Sequence, residues 1–523
     1  MNSKLKFSVF ILAALLAALV LAGCGRVSPE NRLTVLAGSE LKDLEPMFDD
    51  IRRETGFQLE MEYTGSLDGA ERLMSGEEVD LAWFSHAKYL SLLDKQRGRV
   101  KAGEKIMLSP VVLGVKESKA REFGWIDNPD VTWNDIIGKA RTGELRYAMT
   151  NPASSNTGFT SLIGVTSALA GSGDALNIDD VDSVAGQLSD FFKGQALTSG
   201  SSGWLADRYL VEQDQLDGII NYESVLLSLN QSRELDEQLY LIYPKEGIVT
   251  ADYPIMLINE EKREAYNALV DYLRTPDFQQ EMMRQTLRRP VNTQVALDEM
   301  FPDRVLIELP FPNNQEVIDH LLFVYLDEAR VPAHAFFVLD VSGSMRGERL
   351  EDLQEAMIRL TGADTSLTGQ FARFRNRERI SMLTFNDRIQ DIRGFEIDTS
   401  NPQTMDEIQD FVNSLNADDK TAIFSTLENA YEMAINAQDA DPDRYYSIVL
   451  LSDGENTTGN SERTFLRYYE NTPEAHGIKT FTILFGEADY DTMQTIAETT
   501  GGRMFDAKAE PLSVIFKEIR GYQ

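Results

Sequence analysis

Apolar and polar positions along this chain follow two periods. In RLTVLAGSE, which starts at Arg32, a short apolar run over 33–37 stops at Gly38-Ser39. Leu41, Leu44, Met47, Phe48 and Ile51 then recur at three and four positions, which predicts a helix over 41–55. FQLEMEY alternates as a strand over 57–63, a second helix opens after Gly65-Ser66, and VDLAWFS over 79–85 is a further strand ending at a serine. This order predicts a mostly parallel sheet with helices on both faces. Each strand ends in small or hydroxyl residues, and such sheets bind ligands outside their carboxyl ends, near helix N-termini.

A second cluster repeats the pattern. LRYAMTNPASSNTGFTSLIGV over 145–165 reads as a strand, a proline turn and a serine-rich helix start. GIINYESVLL over 218–227 is a strand running into a helix. LYLIYPKEGIVTADYPIMLI over 239–258 reads as two strands around a Lys-Glu-Gly turn, followed by amphipathic helices at 260–274 and 277–286. Four prolines then interrupt the stretch 301–332, leaving one short helix over 315–327 to bridge two domains, with Arg330-Val331-Pro332 as the junction.

Beyond the junction, AHAFFVLD is continuously apolar, as a central parallel strand covered on both faces should be. It ends in Asp340, and Ser342 and Ser344 follow at two-residue spacing. Leu350, Leu353, Met357 and Leu360 share one helix face. Further strands are predicted at 379–387, 445–457, 478–487 and 501–507, with a helix over 421–437 that opens at Thr421 and a closing helix in LSVIFKEIRGY. The fold class is therefore α/β in both halves.

A length of 523 residues calls for two or three domains. The net charge of −34 divides into +2 over 1–24, −21 over 25–330 and −15 over 331–523. Both halves are acidic, which argues against nucleic acid or an anionic lipid surface as the main partner. The N-terminus has the order of an export signal: Lys4 and Lys6, then an apolar stretch, then Gly23-Cys24. An uncleaved anchor needs roughly 20 apolar residues. Cys24 is the single cysteine, so no intramolecular disulfide forms. The four histidines are scattered without zinc spacing, and Asp387, Asp398 and Asp506 read as surface or turn residues. Neither a Ser-His-Asp arrangement nor a Gly-rich phosphate loop is present, so the expectation is a protein that is not an enzyme.

Three resemblances sharpen this reading. Leu21-Ala22-Gly23-Cys24 resembles the lipobox of bacterial lipoproteins, which implies cleavage before Cys24 and lipidation of it. The ordered segments TVLAGSELKDLEPMF, TNPASSNTGF, NYES, YPKEGIVTADYP and YLRTPDFQQEM resemble the two-lobed extracellular solute-binding proteins of ABC importers. That resemblance implies a cleft lined by Ser39, Ser66, Ser85, Ser154, Ser155, Thr157 and Tyr222, for a small neutral or anionic solute. Serine and threonine are also ordinary N-cap residues, so capping is the alternative role for each hydroxyl. Residues 333–523 resemble a von Willebrand factor type A domain, whose metal-ion-dependent adhesion site is matched by Asp340, Ser342, Ser344, Thr421 and Asp453. The threonine of that site usually follows a glycine; here the run is Asp418-Asp419-Lys420-Thr421, and Asp419 offers a further carboxylate. Taken alone, DVSGS would be only a helix N-cap with a turn glycine.

The expected organisation is a signal peptide over 1–23, a lipidated tether over 24–31, a two-lobed solute-binding-like domain over 32–325, a junction over 326–332 and a von Willebrand factor type A domain over 333–523. The expected cofactor is a divalent cation, Mg²⁺ first, with Mn²⁺ or Ca²⁺ accepting the same oxygen ligands. The expected partners are a protein that presents a carboxylate to the metal, a small solute, and the membrane through the lipid anchor only, on the extracytoplasmic face. Two alternatives stay open: the binding component of an ABC importer, and a sensor in which cleft closure alters the adhesion domain.

Overall fold

The computed structural model describes residues 31–522 except Ser172, 303–304, 364–371, Asp419, Gly454, 486–488 and 509–511. The signal segment, Cys24 and Asp419 therefore lie outside the described residues. No helix among the described residues is long and apolar enough to cross a membrane.

Among the described residues, twelve strands build the first domain: β1 (Arg32–Gly38), β2 (Gln58–Thr64), β3 (Leu81–Trp83), β4 (Ala102–Lys105), β5 (Met107–Lys116), β6 (Tyr147–Thr150), β7 (Gln195–Ser199), β8 (Gly218–Tyr222), β9 (Leu239–Ile242), β10 (Thr250–Ala251), β11 (Pro254–Leu257) and β12 (Arg289–Pro290). They form two sheets. The first runs β2-β1-β3-β11-β4; the second runs β10-β5-β8-β6-β7, with β9 and β12 also paired to β5. Strands β1, β2 and β3 are parallel, and β11 enters antiparallel to β3 and β4. The chain crosses between the lobes from β4 to β5 and from β10 to β11, where Lys105 bridges to Asp252 at 2.9 Å. The two strands predicted over 239–258 are thus not a hairpin: β9 joins the second sheet and β11 the first.

Local chemistry explains two further departures. The predicted helix 41–55 is a 3₁₀ segment Ser39–Met47 followed by the α-helix Phe48–Thr55, because Pro46 cannot donate the hydrogen bond that would continue it. The helix Gln315–Val324, extended by a π-turn Tyr325–Ala329, buries Val317, Ile318, Leu321 and Leu322 in the first domain's core rather than standing free between domains.

The second domain is one sheet of β13 (Ala333–Asp340), β14 (Arg379–Phe385), β15 (Ile389–Glu396), β16 (Tyr445–Ser452), β17 (Lys479–Leu484) and β18 (Met504–Asp506), in the order β15-β14-β13-β16-β17-β18. All pairings are parallel except the edge strand β15. The unbroken apolar run of β13 has a direct cause: Ala335, Phe337 and Leu339 fill one face of the sheet while Phe336 and Val338 fill the other. Strand order reverses between β13 and β16, and this is where a doubly wound sheet opens a crevice at its carboxyl edge.

The domains meet along a continuous seam. Tyr522, at the end of the helix Leu512–Tyr522, stacks on Phe481 of β17 and packs against Trp204 of the first domain, with ring centroids 5.1 and 4.7 Å apart. Lys479 reaches Glu212 at 3.0 Å, and the Asn151 amide donates to the Arg520 carbonyl at 3.3 Å. At the centre, fully buried Glu378 accepts from both Arg330 of the junction and Arg520 of the closing helix. Burial alone would raise the Glu378 carboxyl, but the Arg520 and Arg330 guanidiniums outweigh it and hold the group below the ordinary glutamate range.

Removing one member of a buried ion network leaves the others uncompensated. Glu378→Ala is therefore expected to destabilise the second domain by about 3–5 kcal/mol in equilibrium denaturation. Because its carboxyl is depressed, the Glu378 contribution is present at neutral pH and is lost as pH falls through the lowered value. The gap between parent and variant should narrow on acidification.

Candidate functional site

The crevice between β13 and β16 gathers three loops. Asp340 closes β13 and Asp453 follows β16; their exposures are 0% and 1%. The Asp340 carboxylate accepts from the Ser342 backbone N–H at 2.8 Å and from Ser452 Oγ at 2.5 Å. The first bond curls the loop, so that Ser342 and Ser344 lie with their hydroxyls 3.1 Å apart. Thr421 is also buried; its N–H donates to Thr457 Oγ1 at 2.8 Å, and its carbonyl accepts from the Thr457 and Thr458 N–H groups. The Asp418 N–H donates to the Val341 carbonyl at 2.9 Å, which ties the Thr421 loop to the Asp340 loop. The helix predicted to open at Thr421 is Ile423–Ala440, so Thr421 lies two residues before the helix rather than in its first turn.

The electrostatics of this crevice are unusual for a merely structural turn. Burial pushes the Asp340 carboxyl up to about 6; hydrogen bonds from Ser342 and Ser452 oppose the rise and the Asp453 carboxylate adds to it. Asp453 Oδ1 is buried with no hydrogen-bond partner among the described residues. Asp453 Oδ2 accepts from Arg349 at 2.9 Å. No group of three or more His, Cys, Asp or Glu side chains suited to a metal occurs among the described residues. A cation in this crevice would thus draw on hydroxyls as well as two carboxylates. Such a donor set is hard and all oxygen, the chemistry Mg²⁺ and Ca²⁺ prefer over softer metals.

The second candidate site lies between the two lobes of the first domain. Ser39, Ser66 and Ser85 stand at the carboxyl ends of β1, β2 and β3; Ser66 and Ser85 share a hydrogen bond of 2.9 Å. Across the cleft, Ser154, Ser155 and Thr157 surround the start of the helix Asn156–Ala170, and Tyr222 ends β8. Neither Ser66 nor Ser155 caps its helix through its side chain, so capping is not their role. Thr157, fully buried like Ser85, is bonded to Thr150 Oγ1 at 2.7 Å and to Ser155 Oγ at 3.1 Å, which braces the turn from within. Ser154 Oγ donates to the Asn151 carbonyl at 3.3 Å, and Tyr222 accepts from the Asn156 amide at 3.1 Å. The lobes touch where Gly65 faces Ser154: a Cβ at Gly65 would meet the Ser154 carbonyl at 3.0 Å.

Four cleft residues escaped the sequence reading. Glu40, next to Ser39, folds its carboxylate back over Gly38 and leaves Oε1 buried without a partner among the described residues. Burial raises its carboxyl above the ordinary glutamate range, opposed by Arg288 and Ser85. Arg288 is itself buried; it pairs with Asp43 at 2.5 Å, donates to the Glu40 carbonyl at 3.0 Å and lies over the Tyr253 ring at 4.8 Å. Glu40 was visible in sequence as the neighbour of a cleft serine, whereas Arg288, Tyr253 and Asp43 come together only in the fold.

Comparison with known proteins agrees with this architecture. Residues 33–286 match the family model of bacterial extracellular solute-binding proteins, and residues 336–518 match the von Willebrand factor type A domain. The chain thus joins a solute-binding-protein-like domain to a C-terminal von Willebrand factor type A domain with a Rossmann-like sheet. Human inter-alpha-trypsin inhibitor heavy chain H1 is 26% identical over 172 residues, 32% of this chain and 18% of that protein. The pig heavy chain H4 is 22% identical over 308 residues, 56% of this chain and 32% of that protein. An uncharacterized protein of Synechocystis is 26% identical over 178 residues, 34% of this chain and 38% of that protein. The chain therefore spans well under half the length of these relatives. Among solved structures, the periplasmic binding protein AfuA of Actinobacillus pleuropneumoniae, bound to fructose-6-phosphate, is 13% identical with a TM-score of 0.43, covering 57% of this chain and 98% of its own. The sulfate-binding protein SubI of Mycobacterium tuberculosis is 18% identical with a TM-score of 0.41, covering 54% of this chain and 93% of its own.

The cost of two buried carboxylates yields a test. A raised carboxyl binds its proton more tightly in the folded state, so the penalty from Asp340 is absent in acid and grows as pH rises through about 6. Asp340→Asn is expected to raise metal-free stability by about 1–2 kcal/mol at pH 7.5 while abolishing any Mg²⁺-induced rise in Tm. Thermal unfolding in EDTA and in Mg²⁺ reads both effects.

Proposed function

We propose that the protein is a surface-anchored, non-enzymatic binding lipoprotein of the extracytoplasmic face. In this reading Cys24 carries the lipid, and the domains follow the division 32–325 and 333–523. The von Willebrand factor type A domain holds a divalent cation, Mg²⁺ in first place, through Asp340, Ser342, Ser344, Thr421 and Asp453. These residues leave the metal's coordination incomplete, and a carboxylate from a protein partner fills it. The observation that carries the proposal is the pair of buried carboxylates at the strand-order reversal, one of them with an oxygen left unbonded among the described residues. A buried carboxylate oxygen without a hydrogen-bond partner is costly unless a ligand compensates it.

The cleft of the first domain takes a small solute in the same proposal, with Ser39, Ser66, Ser85, Ser154, Ser155 and Tyr222 facing it and Thr157 bracing the turn. Glu40 already places a carboxylate there, which favours a neutral, donor-rich solute over an anion. A sensor reading has its own support, because the Asn151 turn beside the cleft is bonded to the closing helix of the second domain. If the domains are coupled this way, a solute that stabilises the first domain should change Mg²⁺ affinity in the parent but not in Asn151→Ala.

The main proposal is tested by retention of surface proteins from the same cells on the immobilised chain. Retention in Mg²⁺ that disappears in EDTA and in Asp340→Ala is the expected result; equal retention in all three contradicts it. In cells, Cys24→Ser should move the protein from the membrane to the soluble fraction, and unchanged attachment would refute the lipid anchor.

A further inference from the structure

The loop that carries Ser342 and Ser344 continues into the helix Glu348–Ile358, whose second residue is Arg349. This arginine does not follow the solvent path open to a half-exposed side chain. Its guanidinium turns back into the crevice, donating to Asp453 Oδ2 at 2.9 Å and to the Ser344 carbonyl at 3.1 Å. The pair is asymmetric: the Arg349 side chain is 39% exposed and that of Asp453 is 1% exposed. One guanidinium therefore spans two of the three loops of the proposed cation site, with one bond to the last serine of the first loop and one to the aspartate of the third. The guanidinium supplies positive charge to a buried carboxylate, and its open flank faces water.

We infer that Arg349 is a tethered counter-cation that holds the metal-free site together and competes with an entering divalent ion for the Asp453 carboxylate. The inference rests on the proposed cation site and adds a residue outside its five-residue motif. The chemistry follows from charge. A guanidinium and a divalent cation compete for the same carboxylate, and the guanidinium is present at high local concentration because the chain tethers it. Its displacement costs little structurally, since the side chain is already half-exposed and can extend into solvent. Arg349 thus has opposite effects on the two states: it preserves the loop arrangement without metal and lowers the apparent affinity for metal.

Calorimetric titration of MgCl₂ into the parent, Arg349→Gln and Arg349→Ala tests this, with thermal unfolding in EDTA as a second readout. Both variants are expected to bind Mg²⁺ about fivefold more tightly, the scale of one half-exposed ion pair. Both should also unfold at lower temperature than the parent in EDTA and match it in saturating Mg²⁺. Methylguanidinium added to Arg349→Ala should weaken Mg²⁺ binding again and leave the parent unaffected. Mg²⁺ affinity that is unchanged or weaker in both variants overturns the inference. Absence of Mg²⁺ binding in the parent instead overturns the cation site itself, so the two failures are distinguishable.

Discussion

Two carboxylates, Asp340 and Asp453, are held almost out of reach of water at the point where the strand order of the second domain reverses. Much of that domain can be understood as the framework for this placement. Strand β13 is apolar on both faces, so its course is set by packing, and its last residue emerges at a fixed depth. β16 runs parallel beside it and delivers Asp453 to the same edge. Ser452 and the curled Ser342 loop satisfy Asp340, Arg349 satisfies half of Asp453, and the remaining oxygen has no partner among the described residues. A buried oxygen left without a partner is costly by itself, and a bound cation would convert that cost into affinity.

The same logic of paired charge joins the two domains. Glu378 sits between an arginine of the junction and an arginine of the closing helix, so the chain entering the second domain and the helix ending it are fastened to one carboxylate. Around it, Tyr522 bridges Phe481 and Trp204, and Asn151 reaches the Arg520 carbonyl from the turn beside the cleft. The turn beside the cleft is therefore bonded directly to the closing helix of the second domain, at the amino ends of the strands and on the opposite edge of the sheet from the crevice.

Much of this was legible in the amino-acid order, for reasons that depend on the range of the interaction. Strands buried on both faces, such as β13 and β16, announce themselves as apolar runs, and the donors Asp340, Ser342 and Ser344 lie within five residues of one another. Strand β15 was missed: as an edge strand it is mostly exposed, and IQDIRGFE carries no clear period. The pairing of β9 and β11 with different sheets was also hidden, since strand character alone does not reveal a partner. Arg288, Arg349 and Glu378 matter through contacts made only once distant segments fold together; for Arg288 with Asp43 the separation is 245 residues. Long polar side chains gave no local pattern from which their partners could be read.

The central claim is that the three loops enclose one divalent cation. Anomalous scattering from crystals grown with Mn²⁺, an ion that accepts the same oxygen ligands, tests it most directly. The expected result is one manganese peak beside the Ser342 and Ser344 hydroxyls, in the space between the Asp340 and Asp453 carboxylates, with Arg349 swung away from Asp453. No peak there at saturating Mn²⁺, with the Arg349–Asp453 bond intact, would contradict it.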